Sequence, residues 1–211
     1  DLEKDVKLLE LLGVHFVFAP TPEEMYSKEE MESSFMFDFN GLDEMMEGKM
    51  RPGHFNGVVQ VVSILFDLVQ PTRAYFGEKD FQQLAIIRYL VERSPLANRY
   101  KGIKIIGCPI VREESGLAMS SRNERLSSKE KQIAVAISQV LISSLEWAKN
   151  DSVFTVQQRV VDAINAIDGL TVEYYDIVDK TTLQPTDTFI NAVGCVTVYC
   201  GSVRLIDNIQ Y

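Results

Sequence analysis

Arg73-Ala74-Tyr75-Phe76-Gly77-Glu78-Lys79-Asp80-Phe81-Gln82-Gln83 is the stretch on which the fold turns. Arg73 to Phe76 reads as a short strand. Gly77 to Asp80 reads as the turn opening a helix, with Leu84, Ile87, Tyr89, Leu90 and Val91 on or near its inner face. A polar connection from Ser94 to Gly102, containing Pro95, leads to a second buried strand, Ile103 to Gly107. Strand, helix and strand with short joins predict a parallel sheet covered by helices. Such sheets bind ligands beyond the carboxyl ends of their strands. The helix start offers unpaired N–H groups and positive partial charge to an anion, Gly77 admits a close backbone approach, and Lys79 supplies a movable cation. The turn is not a Walker loop, which needs Gly-x-x-x-x-Gly-Lys followed by Ser or Thr. An ordinary turn with capping charges accounts for the same residues, so two readings stand.

Upstream, Phe55 to Val69 is almost wholly apolar, with Asp67 its only charge. Its length predicts a buried helix despite many β-branched residues, and Gln70-Pro71 ends it. Before it come the polar loop Arg51-Pro52-Gly53-His54, one or two helical turns over Gly41 to Glu47, and a weakly alternating strand from Phe35 to Phe39. Glu23 to Glu32 reads as an acidic solvated loop or short helix. The chain opens in helical register, with Leu2, Val6, Leu9 and Leu12 recurring until Gly13. Val14 to Ala19, with His15 as a core or edge residue, reads as a short buried strand. These elements suggest the tail of an α/β unit, a complete one taking roughly 30 or more residues.

After Cys108-Pro109 the pattern changes. Ser127 and Glu130 form a capping box ahead of a long amphipathic helix with Ile133, Ile137, Val140, Leu141 and Leu145. Thr155 is a candidate cap for a second helix bearing Val156, Val160, Ile164 and Ile167. Val172 to Val178 and Ala192 to Tyr199 are strand-like, with turn chemistry at Pro185-Thr186-Asp187 between them. The fold class expected is α/β: an incomplete Rossmann-like parallel-sheet domain over 1–108, followed by a smaller α+β domain over 109–211.

Composition narrows the function. The chain has 211 residues, 46% hydrophobic and 24% charged, as a packed domain requires. Lys+Arg 21 against Asp+Glu 30 gives a net charge of −9, which argues against broad nucleic-acid binding. It also means that any phosphate site needs a local basic cluster. No run approaches about 18 apolar residues, so no membrane span is expected. No signal peptide is expected, and Cys108, Cys195 and Cys200 read as reduced thiols of a cytoplasmic protein. Two histidines make a zinc site a poor expectation.

A second polar constellation joins Val111-Arg112 to Met119-Ser120-Ser121-Arg122-Asn123. Two hydroxyls beside a planar guanidinium suit a polyphosphate, although a loop feeding the Ser127 cap explains the same residues. Taken in order, several segments resemble the pantothenate synthetase (pantoate–β-alanine ligase) family. They are Val17-Phe18-Ala19-Pro20, Arg51-Pro52-Gly53-His54-Phe55, Val69-Gln70-Pro71, Phe76 to Gln83, Gly116 to Asn123 and Arg204-Leu205-Ile206-Asp207-Asn208.

The resemblance implies that pantoate attacks the α-phosphate of ATP, with Mg²⁺, to give pantoyl adenylate and pyrophosphate. β-Alanine then displaces AMP. Both nucleophiles belong to substrates, so the protein positions reactants and stabilises charge. It further implies that Gly77, Glu78, Lys79 and Asp80 contact ATP, with Lys79 on the phosphates, and that Gln83 binds pantoate. Val111 and Met119 would lie against the nucleotide, while Ser120, Ser121 and Arg122 would hold phosphate. Lys79 and Arg122 are the expected catalytic groups, and Arg51 and His54 lie near the site without a firm role. The metal ligands are unspecified and a homodimer is expected. The family's His-x-Gly-His motif is absent from these residues, so the 211 residues alone are expected to be inactive. Two alternatives are a non-catalytic nucleotide-binding or dimerisation module and a different adenylyl-transferring enzyme.

Overall fold

The computed structural model describes residues 2–27 and 35–211, which form two compact units, Asp1–Met36 and Phe37–Tyr211. In the first, α1 (Leu2–Leu11) follows the helical register of its sequence but has no buried residue. Thr21 and Glu24 cap each other reciprocally at α2 (Pro22–Met25). Val14 to Ala19 is irregular and exposed rather than a buried strand. Among the described residues no strand pairs with it, and its backbone gains no ladder. His15 is accordingly exposed, not a core residue. Of the stretch Glu23 to Glu32, residues 28–32 lie outside the described residues.

Phe35 to Phe39, which runs from the last residues of the first unit into the second, also fails to form a strand. Its aromatic residues fold inward, Phe39 being buried and Phe37 stacking edge-on to Phe39 and Tyr89. The helical turn expected at Gly41 to Glu47 lies slightly later, as α3 (Met46–Met50). Gly48 is required there, since a Cβ would sit 2.0 Å from the Asp43 carbonyl oxygen. The helix α4 (His54–Val69) ends at Gln70 in a left-handed cap. It buries Phe55, Val59, Val62 and Phe66 and packs against α5 (Phe81–Glu92). β1 (Arg73–Gly77) and β2 (Lys104–Cys108) run parallel, with Gly77 opposite Cys108. The strand–helix–strand reading of Arg73 to Gly107 therefore matches the structure.

Beyond Cys108 a 3₁₀ turn (Ser121–Arg125) precedes α6 (Ser128–Trp147), whose Ser127–Glu130 capping box forms as expected. The next helix, α7 (Val153–Asn165), is capped by Ser152 rather than Thr155. The Ser152 hydroxyl accepts the Thr155 N–H at 3.2 Å, which places the helix start earlier than the sequence pattern suggests. β3 (Leu170–Asp179), β4 (Ala192–Cys200) and β5 (Val203–Gln210) form an antiparallel sheet in that order. In the sequence β5 stands out only as a motif, although the Gly201-Ser202 turn after β4 marks a hairpin. Helices α6 and α7 cover this sheet over a core that includes Ile137, Leu141, Val156, Val160, Ile164, Val196 and Val198. Gly194 lets β4 pass the Tyr175 hydroxyl, 2.2 Å from where a Cβ would stand. The parallel pair with an antiparallel sheet makes the fold α/β, as the pattern indicated.

Candidate active site

The carboxyl end of β1 turns at Glu78 and Lys79 into α5, and β5 holds that turn in place. The Asn208 amide donates to the Glu78 and Lys79 carbonyls at 2.8 and 3.1 Å. Gln210 donates to the Glu78 carboxylate, and the Glu78 N–H donates to the Cys108 carbonyl at 2.8 Å. Asp80 caps α5 with its backbone alone, so the first-turn N–H groups of Phe81, Gln82 and Gln83 are left without intrahelical partners. A cleft of about 210 Å³ opens in front of them.

Lys79, Asp80, Gln83, Ser120, Arg122, Arg51 and His54 all face this cleft. Side chains as distant in sequence as Arg51 and Arg122 are thus brought to one cavity. Ser120 caps the 3₁₀ turn by accepting the Arg122 N–H at 3.2 Å, and Arg122 donates to the Arg204 carbonyl at 3.2 Å. The other expected residues stand apart from the cleft wall. Gly77 ends β1, and Glu78 follows it in the turn that Asn208 holds. Val111 and Met119 are exposed and joined by a backbone bond of 2.9 Å, and Ser121 is exposed at the start of the 3₁₀ turn.

The floor comes from residues to which the sequence reading gave no role: Met46, Glu47, Tyr174, Cys195, Ile206 and Asp207. Glu47 is its centre. Its carboxylate accepts two bonds from Arg204, at 2.9 and 2.6 Å, one from the Tyr174 hydroxyl at 2.9 Å and one from Thr197 at 3.1 Å. Burial pushes this carboxyl up, but the bonds from Arg204 and Tyr174 outweigh it and hold the pKa at about 2. Arg204 also donates to Glu173, and burial together with the Glu47 carboxylate raises the Tyr174 phenol. No short-range signal could reveal this cluster, because Glu47 and Arg204 lie 157 residues apart.

Asp207 is likewise occupied, bound bidentately by Arg112 at 2.7 and 3.0 Å. With Glu47 and Asp207 neutralised, the cations Lys79 and Arg122 face the cavity, and neither forms an ion pair among the described residues. Burial lowers the Lys79 ammonium pKa, Asp80 and Asp207 oppose that shift, and Arg122 adds to it. An anion placed between Lys79 and Arg122 relieves both. At an effective dielectric of about 20, one such contact at about 4 Å is worth roughly 4 kcal/mol before desolvation. The site therefore suits a polyphosphate. Burial and Arg51 lower the pKa of His54, with Glu47 and Asp80 acting the other way, which favours its neutral form at pH 7. No cluster of three or more His, Cys, Asp or Glu side chains suited to a metal occurs among the described residues.

The sequence model of the pantoate-beta-alanine ligase family matches residues 1–210. A pantothenate synthetase of Phocaeicola vulgatus is 54% identical over 213 residues, covering 100% of this chain and 73% of that protein. One from Bacteroides thetaiotaomicron is 53% identical with the same coverage. Among solved structures, the pantothenate synthetase of Thermus thermophilus superimposes with a TM-score of 0.89 at 39% identity, covering 100% of this chain and 74% of that one. The pantoate-beta-alanine ligase of Francisella tularensis, complexed with beta-gamma ATP and beta-alanine, does so at 0.72 and 29% identity, covering 100% and 70%.

Proposed function

Because this chain belongs to the pantoate–β-alanine ligase family, we propose that its cleft activates pantoate with ATP as pantoyl adenylate, releasing pyrophosphate. β-Alanine then takes the pantoyl group and AMP leaves. Family membership makes the protein an ATP-dependent acid–amine ligase; the order of steps and the residue roles are our reading. One observation carries it: Lys79, from the mouth of the parallel pair, and Ser120 with Arg122, from beyond Cys108, face one cavity.

In this reading Lys79 and Arg122 hold the triphosphate from opposite sides, and Ser120 adds a short neutral bond. The α5 N-terminus lends its positive end. Gly77, Glu78 and Asp80 shape the rear of the ATP site, Ser121 adds a second hydroxyl at its rim, and Val111 and Met119 offer an apolar surface to the nucleotide. Gln83, at the cleft wall, hydrogen-bonds pantoate. Mg²⁺ arrives with ATP as its counter-ion, since Mg²⁺ is commonly held by substrate phosphates and few protein carboxylates. The halves 1–108 and 109–211 are the two contributors to the grip. A homodimer in the cytoplasm is the assembly and compartment we expect.

The His-x-Gly-His motif does not occur in these residues, and losing one preorganised transition-state donor costs about 10²–10³ in rate. We therefore expect the 211 residues alone not to turn over. The test is pantoate-dependent exchange of labelled pyrophosphate into ATP by a full-length ligase carrying these residues. Exchange that requires pantoate supports the reading. Exchange with another acid only would point to a different adenylyl-transferring enzyme, and ATP binding without exchange to a non-catalytic module.

A further inference from the structure

The second step of this reaction has a proton problem, and the cleft contains one group suited to it. β-Alanine reaches the site as an ammonium, and an alkyl ammonium titrates near about 10. It has no lone pair for attack until a proton leaves. We propose that His54 is the general base that deprotonates the incoming amine, an inference that rests on the adenylate reading above.

The geometry singles His54 out. It is the first residue of α4 and lines the cleft with Lys79, Asp80 and Gln83. Its ring leans on Phe55 at a centroid distance of 5.0 Å, and no hydrogen bond to either ring nitrogen occurs among the described residues. A lone pair is thus left for a ligand. The other candidates are spent or unsuitable. Glu47 is saturated by Arg204, Tyr174 and Thr197, and Asp207 is held by Arg112. The Tyr174 phenol is committed to Glu47, and burial raises the Cys195 thiol pKa. Lys79 is a cation needed by phosphate. Asp80 remains, at the start of α5 on the cleft wall. Its charge is better placed to draw the ammonium in.

The groups facing His54 are Arg51 before α4, Glu47 on α3, Asp80 at the start of α5 and Arg122 on the 3₁₀ turn. Burial is the first influence on the ring and Arg51 the second; both favour the neutral imidazole. The positive end of α4 acts in the same direction. In the step itself, one ammonium proton passes to the free His54 nitrogen and the nitrogen lone pair attacks the acyl carbon. The C–N bond forms, the bond from acyl carbon to phosphate oxygen breaks, and AMP leaves with that electron pair. The second nitrogen proton leaves with the phosphate oxygen or to water as the tetrahedral intermediate collapses.

The experiment uses the full-length ligase and follows two signals against pH: pantoate-dependent pyrophosphate exchange, and single-turnover conversion of preformed pantoyl adenylate by β-alanine. In the unmodified enzyme the second signal should rise through a limb below about pH 6.5, the ordinary imidazole value, and then level off. His54→Gln should slow the step at pH 7 by about 10²-fold, the lower range for a positioned base, and should remove the plateau, the rate climbing on toward about pH 10 as free amine forms by itself. Hydroxylamine, neutral at pH 7, needs no base before attack, so replacing β-alanine with it should recover most of the lost rate in His54→Gln. A missing limb in the unmodified enzyme, or a variant equally slow with both nucleophiles, overturns the inference. Absence of exchange in the unmodified enzyme overturns the adenylate reading instead, so the two failures are distinguishable.

Discussion

Glu47 illustrates how much of this site depends on one side chain whose bonding partners are remote in sequence. Its carboxyl titrates at about 2 in the folded protein, against an ordinary value of 4.5. A group whose folded pKa is depressed stabilises the fold above its unfolded pKa and loses that contribution as pH falls toward the folded one. Glu47 should therefore contribute on the order of 3 kcal/mol above pH 4.5, declining as pH falls toward 2. Glu47→Gln, leaving Arg204 partly unpaired in a buried position, should cost about 3 kcal/mol. Urea unfolding at pH 7 and pH 3 checks both points. The variant's deficit should shrink at the lower pH, and an equal deficit at both would refute the assigned ionisation.

The elements formed where sequence pattern and neighbours agreed. The Ser127–Glu130 box was legible because a cap is a local device, and Ser127→Ala should cost about 1 kcal/mol of stability, measured by thermal or urea melts. The parallel pair around Gly77 was legible because strand, helix and strand follow each other closely along the chain. Two strand readings failed for a shared reason. Val14 to Ala19 and Phe35 to Phe39 have strand-like composition, but a strand also needs a neighbouring strand to pair with, and neither segment has one among the described residues. β5 reads as a motif and not a strand, yet it carries Asn208, which pins the Lys79 turn. Asn208→Ala should lower pyrophosphate exchange more than thermal stability, by releasing that turn. A loss of stability with unaltered exchange would make Asn208 merely structural.

Taken as a whole, the cleft combines groups the sequence displays with groups it conceals. Lys79, Gln83, Ser120 and Arg122 sit in recognisable segments, and the structure gathers them. Glu47 and Tyr174 gave no sequence signal, and Asp207 only its place in the Arg204–Asn208 motif, because a buried ion-pair network is defined by distance in space and not by spacing along the chain. Arg51 and His54 fall between these cases: their loop was visible, but only the cavity suggests a role for His54. The 211 residues alone should show no pantothenate formation above background in a coupled AMP-release assay, and turnover would refute that expectation. The most direct test of the two-sided grip is pyrophosphate exchange by a full-length ligase bearing Lys79→Ala, Arg122→Ala, or both. Each single change should lower exchange by about 10²–10³, and the double change by less than the product, because both side chains act on one triphosphate. Exchange within about twofold of the parent in either single variant, a change no larger than about 0.4 kcal/mol, would contradict the account.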